Sequence, residues 1–151
     1  MRFPTTPTRS ASQNGGAVAD QPDPVLRTHQ AFYDAIEHGD LDLMTSLWLP
    51  GDETVCVHPG AEAILGTPTI VRSFAMLMAN VGYIQFILTD VSVLRRGSVA
   101  VVSCTENVLS EAAGEAPTVF AGGRGVATDV LVETPVGWKL WSHHSGPLME
   151  G

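Results

Sequence analysis

Cysteine and positive charge are both scarce in this chain. Cys56 and Cys104 are the two cysteines in 151 residues, with no CxxC spacing and no neighbouring His/Cys pair. They make neither a disulfide framework nor a zinc-finger pattern, and they suit a reducing compartment, so a cytoplasmic location is expected. Lys plus Arg number 8 against 16 Asp plus Glu, a formal net charge of −8. Phosphate backbones and anionic lipid surfaces are held by clustered cations, so no nucleic acid and no membrane surface is expected as a main partner. No apolar run approaches the ~18–20 residues that span a bilayer. The first residues carry no secretory pattern, since Arg2 is followed by Pro4, Pro7 and Arg9 rather than an apolar stretch. Nucleotide and nucleophile signatures are missing as well. There is no G-x-x-x-x-G-K-[ST], no dinucleotide fingerprint between a strand and a helix, and no G-x-S-x-G.

What remains is a chain with 44% hydrophobic residues and the length of one domain. A chain this size buries roughly 68–70% of the surface its unfolded form exposes, enough to fold without staples. Residues 1–22 are rich in Thr, Ser, Pro, Gln, Asn and Gly and show no period, so they read as a mobile tail. The domain proper is residues 23–151. Asp23-Pro24 starts a helix, because the carboxylate caps free amides and proline suits the first helical position. Val25, His29, Phe32 and Ile36 recur on one face, and Gly39 ends the helix. Asp40 caps a shorter helix carrying Leu43, Met44, Leu47 and Trp48, stopped by Pro50-Gly51. Two short strands, 54–57 and 63–65, flank His58-Pro59-Gly60. A third helix starts at Gly66-Thr67-Pro68 by the same cap-plus-proline logic.

From residue 83 onward the pattern is β. Strands are expected at 83–94, 99–109, 118–133 and 138–144, with a hairpin turn at 95–98, a polar loop at 111–117 and a glycine-marked bend at 122–125. Helices followed by strands give an α+β class. Ile84, Phe86 and Leu88 fall on one face of the first long strand, and Tyr83, Ile87 and Val91 on the other. One face therefore covers the helices. The other is expected to cover a second copy of the chain, a homodimer through the sheet.

Four segments together resemble the nuclear-transport-factor-two-like superfamily, in its SnoaL-like branch. They are Phe32-Tyr33-Asp34-Ala35-Ile36-Glu37-His38-Gly39-Asp40, Cys56-Val57-His58-Pro59-Gly60, the Gly66 turn, and the closing run from Gly137-Trp138 to Ser145-Gly146-Pro147. The resemblance covers roughly residues 23 to 148. It implies a cone-shaped curved antiparallel sheet wrapped around three N-terminal helices, a cystatin-like α+β roll. It also implies a mostly apolar pocket and pairing through the sheet. The superfamily hosts isomerases, cyclases, dehydratases, ligand carriers and inert domains on one scaffold. The implied function is binding of a small apolar organic ligand, with cofactor-independent acid–base chemistry of the isomerase, cyclase or dehydratase type, or else a non-catalytic homodimeric binding or interaction module.

His58 stands where ketosteroid isomerases, which resemble this stretch, hold a general-base aspartate. A histidine has an unperturbed pKa of ~6.5 and suits that role. Asp129 falls near the position where those enzymes hold a carboxyl that donates to an oxyanion. Set among Val126, Val130 and Leu131, it would be pushed toward its neutral form. The isomerase tyrosine of the first helix aligns with Phe32, and Tyr33 lies ~100° around the helix and is not expected to replace it. Of His143 and His144, adjacent on a strand, at most one faces inward. A regular strand groups His143 with Trp141 and Lys139. Glu106 and Asn107 interrupt an apolar strand, so one of them points inward and needs a partner. Arg124 is expected either at a ligand or paired with Glu115. Phe32, Tyr33, Trp48, Glu106 and His143 are the expected pocket lining. Trp48, Tyr83, Phe86, Trp138 and Trp141 are expected in the core. No local spacing marks a metal site, and no cofactor is implied.

Overall fold

The computed structural model describes residues 23–112 and 123–149. The expected tail at 1–22, the loop from 113 onward with Glu115, and the first residues of the expected third long strand lie outside the described residues.

The first helix, α1 (Pro24–His38), begins where the sequence directs it. The Asp23 carboxylate accepts from the Val25 amide at 2.8 Å, and Pro24 occupies the first turn. Gly39 closes it with φ 64°, a left-handed conformation that costs a glycine little. Asp40 caps α2 (Leu41–Ser46) through the Leu43 amide at 3.0 Å. That helix ends before Leu47 and Trp48, which the sequence pattern places on it. Trp48 instead bridges to Leu140 of the sheet. The strands β1 (Val55–Val57) and β2 (Ala63–Leu65) form a short hairpin ahead of α3 (Thr67–Asn80). The expected cap-plus-proline start of α3 is half right. Pro68 is in the first turn, but Gly66 offers no side-chain cap, and the Thr67 hydroxyl turns away to the Leu49 carbonyl at 2.5 Å.

Four long strands follow: β3 (Val81–Arg96), β4 (Val99–Ala112), β5 (Arg124–Thr134) and β6 (Gly137–Pro147). They pair antiparallel in chain order. β1 adds parallel to β6, giving a six-stranded sheet in the order β2-β1-β6-β5-β4-β3. The sheet is curved and unclosed, and the three helices sit against its concave side. Ile84 and Phe86 of β3, Ala100, Val102 and Val108 of β4, Ala127 and Leu131 of β5, and Trp138 and Leu140 of β6 face inward. They meet Val25, Phe32, Tyr33, Ile36, Ile70 and Phe74 of the helices. Period-2 burial along β5 and period-3.6 burial along α1 are the two patterns that make this core. The convex face keeps Tyr83, Ile87, Leu109 and Val126 about half exposed. Tyr83, expected in the core, is therefore on the outside. So is Trp141, for a reason that belongs to the site. Among the described residues no helix is long and apolar enough to cross a membrane.

Candidate active site: a buried carboxylate between two imidazoles

Two bulges decide which side chains enter the interior. Val130 stands opposite Ser142 and Leu131 opposite Leu140, so Trp141 is an extra residue in β6. Trp138 and Leu140 face inward before the skip, and His143 and Ser145 face inward after it. The regular-strand expectation that grouped His143 with Trp141 is thereby corrected. Trp141 turns out, 45% exposed, and its Nε1 donates to the Glu53 carbonyl at 2.9 Å. His144 lies on the convex face. The second bulge lies in β3, where Thr89 meets Thr105 and Ser92 meets Ser103. Asp90 and Val91 therefore share the place opposite Cys104. Asp90 takes φ 55°, the one non-glycine in the left-handed region among the described residues.

Asp129 points inward from β5 and is fully buried. It lies between its inward neighbours Ala127 and Leu131. Val126, expected beside it, is on the outer face. One carboxylate oxygen accepts from His143 Nδ1 at 2.6 Å. The other lies 3.8 Å from His29 Nε2 and has no hydrogen-bond partner. The same His29 nitrogen is 3.8 Å from Cys104 Sγ, which is 3.7 Å from the Tyr33 hydroxyl. That hydroxyl donates to Glu106 at 2.7 Å, and Ser145 donates to the other Glu106 oxygen at 2.5 Å. The interior thus carries an unbroken row of polar side chains from His143 to Ser145. Gly125 makes room for its far end. A Cβ there would sit 2.8 Å from the Gly146 carbonyl oxygen and 3.4 Å from the Glu106 carboxylate.

Tyr33, expected in the pocket lining but not in the place of the isomerase tyrosine, lies ~100° around the helix from Phe32. However, α1 is enclosed so widely that Phe32 and Tyr33 are both buried, with their rings edge to face at 5.0 Å. Glu106 is the inward residue of its pair, and Asn107 donates across the sheet to the Ile87 carbonyl at 2.8 Å. Phe32, Tyr33, Trp48, Glu106 and His143, the expected pocket lining, are packed in the interior, each at most 2% exposed, and none of them lines the open groove between α1 and the β3 bulge. Phe32 leans on the His143 ring at 4.5 Å and on Phe74 at 5.3 Å. His58 is further along this stack. Its ring meets Phe74 edge-on at 4.9 Å, and its Nε2 is 2.8 Å from the Ser73 hydroxyl. His58 and Asp129 share the concave side of the fold, but the imidazole bonded to Asp129 is that of His143.

The environments push the three imidazoles apart. Burial opposes charge on His143, but the charge and hydrogen bond of Asp129, aided by Glu106, outweigh it and raise its pKa. For His29 burial wins over the same carboxylate and the pKa is lowered. His58 is lowered to about 4, by burial and then by the charge of His143. Near neutral pH the site therefore offers one imidazole that tends to hold a proton and two that do not. Both thiols are held neutral by burial, Cys104 being pushed up to about 12, so neither is a nucleophile. Among the described residues no three His, Cys, Asp or Glu side chains are placed to hold a metal ion. His29, Cys104 and Ser145 were not singled out as functional from sequence. The available signal was His29 one turn before Tyr33, a polar group on the buried stripe of α1.

An open groove of about 610 Å³ runs between α1 and the β3 bulge, lined by Leu26, Arg27, His29, Gln30, Asp34, Leu88 and Val91. His29 is shared between this groove and the buried row.

The fold agrees with what the comparisons find. The sequence profile of the SnoaL-like domain matches residues 25–150, so the chain belongs to the SnoaL-like domain family of the nuclear-transport-factor-2-like superfamily. It is similar to the crystal structure of a proposed dehydratase of the NTF2-like family from Streptomyces avermitilis. That match has 44% identity and a TM-score of 0.75, covering 84% of this chain and 95% of that one. An NTF2-like superfamily protein from Salmonella enterica shares the fold at 19% identity and a TM-score of 0.74, covering 84% and 91%. A calcium/calmodulin-dependent kinase II association-type domain from Thiobacillus denitrificans does so at 24% identity and 0.68, covering 81% and 93%. A search of the curated proteins finds no match.

Proposed function

We propose that this chain is a cofactor-independent acid–base enzyme acting on a small, largely apolar organic molecule, with dehydration as its most fitting reaction type. The carrying observation is the buried Asp129 carboxylate, hydrogen-bonded to His143 at 2.6 Å and facing His29 across 3.8 Å. In such a reaction a neutral imidazole takes a proton from carbon while His143 gives one to the departing hydroxyl. A double bond forms and water leaves. Titratable groups driven to opposite protonation states mark acid and base assignments. Asp129, expected to be a proton donor in its own right, acts in this reading through the imidazoles. The proton acceptor is one of the two neutral rings, His58 or His29. The name of the Streptomyces avermitilis relative supports the reaction type.

The test is deuterium uptake at the carbon next to the carbonyl, followed by NMR and mass spectrometry on a panel of β-hydroxy ketones in D₂O. Replacing His143 with Gln should cut exchange by about 10²–10⁴, the usual worth of a positioned acid or base. H58A and H29Q separate the acceptors, since only one carries a loss of that size. Equal exchange by wild type and H143Q would overturn the reading.

A second reading is a non-catalytic homodimeric binding or interaction module. It draws support from Phe32, whose ring occupies the space against His143 at 4.5 Å. It predicts ligand-induced thermal shifts without conversion of any bound compound. Both readings include a homodimer through the convex sheet face, supported by the half-exposed Tyr83, Ile87, Leu109 and Val126. Light scattering that returns a monomer mass at micromolar concentration would reject it. The proposed setting is the cytoplasm, where the two buried thiols stay reduced.

A further inference from the structure

The groove between α1 and the β3 bulge combines apolar walls with a polar rim. Its walls are aliphatic, from Leu26 on the helix and Leu88 and Val91 on the strand, and its volume of about 610 Å³ is within the range of small-molecule sites. The bulge creates it. The extra residue at Asp90–Val91 bends β3 beside α1, and Asp90 accepts the unusual φ of 55° to do so. The polar rim comes from one helix stripe, Arg27, Gln30 and Asp34, spread over about 10 Å at ~1.5 Å per residue. Asp34 is already engaged, its carboxylate accepting from the Gln30 amide at 3.0 Å. Arg27 is not. Among the described residues no carboxylate lies within ion-pair distance of it, whereas Arg95 is paired with Asp23 and Lys139 reaches the Ser46 carbonyl at 2.6 Å. In a chain of net charge −8, a cation left open at the mouth of an aliphatic groove is a selective feature.

We infer that the groove binds a small organic carboxylate, its apolar body on Leu26, Leu88 and Val91, its carboxylate at Arg27, and its reacting carbon at His29. This rests on the acid–base reading above and assigns the proton acceptor to His29. The same imidazole faces Asp129 and Cys104 on its inner side, each at 3.8 Å. A proton taken from the ligand raises the ring to an imidazolium. Its Nε2–H lies toward the unpartnered Asp129 oxygen, which offsets the new charge; the ring then returns its proton to water at the groove mouth, and the proton that His143 gives up is replaced from water, so none is gained or lost overall. No co-reactant is consumed.

The experiment uses the full chain, labelled with ¹⁵N and ¹³C, and one probe pair, 3-cyclohexylpropanoate and its primary amide. A body of about eleven non-hydrogen atoms corresponds to a Kd in the millimolar range. The acid is expected to move the signals of Leu26, Arg27, His29, Leu88 and Val91 and to give an NOE to the His29 ring. The amide is expected to bind about two- to fivefold more weakly, the range of a solvent-exposed ion pair. R27Q should erase that difference, and R96Q at the β3–β4 turn should leave it. No shifts up to about 20 mM, shifts confined to another surface, equal affinities for acid and amide, or contacts to Leu88 without His29 would each overturn the assignment. Groove binding that survives while H143Q leaves exchange untouched would sink the acid–base reading instead. Loss of exchange in H143Q with no carboxylate in the groove would sink only this inference.

Discussion

Replacing Asp129 with Asn removes a charge and keeps the shape. Asn Oδ1 can still accept from His143 Nδ1, so the 2.6 Å contact survives as a neutral hydrogen bond. What is lost is the counter-charge of a ring buried to 2% exposure. Breaking a buried pair by removing one partner costs about 3–5 kcal/mol, and the retained hydrogen bond places this variant near 3. For a chain of this size that is a fall in Tm of about 6–12 °C. The pH dependence is the sharper test. His143 has a folded pKa raised above the ~6.5 of the unfolded chain. Its contribution to stability is complete below ~6.5 and fades as pH climbs through the folded value. Without Asp129, burial dominates and the folded pKa drops below ~6.5. The same histidine then opposes folding in acid. His29, which also loses the raising influence of Asp129, moves the same way. The stability gap between wild type and D129N should therefore be widest below ~6.5 and close as pH rises through the folded value of His143. Urea melts at a series of pH values measure it directly. A gap that stays constant, or widens with rising pH, would refute the assignment of a charged His143 beside Asp129.

Three further outcomes follow from the same interior. Tyr33→Phe leaves one Glu106 oxygen without its 2.7 Å donor and should cost about 1.5–3 kcal/mol in urea melts; a cost below ~0.5 would show that the carboxyl does not need it. Gly125→Ala drives a methyl to 2.8 Å from the Gly146 carbonyl, so β5 and β6 must part; a loss of about 1–3 kcal/mol is expected, and an unchanged melt would mean the strands separate freely. His58 has a folded pKa of about 4, so its neutral form favours folding above ~6.5 and that benefit, about 3 kcal/mol, is lost as pH falls from 6.5 to 4. His58→Gln keeps a partner for Ser73 and should flatten that acid decline, whereas parallel stability curves would count against a buried neutral His58.

The element order was readable because each helix and strand announces its own period and ends. Asp23-Pro24 and Gly39 frame α1 by local chemistry alone, and both act in the structure as the sequence implies. The split of β3 into Ile84, Phe86 and Leu88 inside and Tyr83 and Ile87 outside needed only alternation. The interior of the site was less legible. His29 reads as one more member of an apolar stripe, and nothing in α1 shows that a carboxylate waits opposite it. Tyr33 is buried beside Phe32 because the curved sheet and α3 enclose α1 more widely than a helix covered on one side, whose apolar stripe is ~100° wide. Cys104 and Ser145 gain meaning only from the groups that three strands bring to meet them.

The extra residue at Trp141 shows how much hangs on a feature that alternation cannot reveal. Counting by twos from Trp138 and Leu140 puts Ser142 and His144 inside and His143 outside. The bulge reverses the phase after Leu140, so His143 enters the core and His144 faces out. Pairing with β1 holds the new phase. Cys56 lies beside His143, and Val57 beside His144, which carries the inward side of β1 onto the same face as His143. Trp141 is anchored on the outside by its bond to the Glu53 carbonyl, just ahead of β1. The indole, the bulge and the short parallel strand thus act together to present one histidine to Asp129. Deleting Trp141 removes the extra residue and leaves Leu140, His143 and Ser145 on one face by simple alternation, so His143 should stay at the carboxylate. A folded deletion variant in which His143 keeps a raised pKa in an NMR titration would show that the carboxylate sets the protonation of the site without help from the indole. Loss of that signature with the fold intact would show instead that the bulge anchored by Trp141 is needed to seat His143 against Asp129.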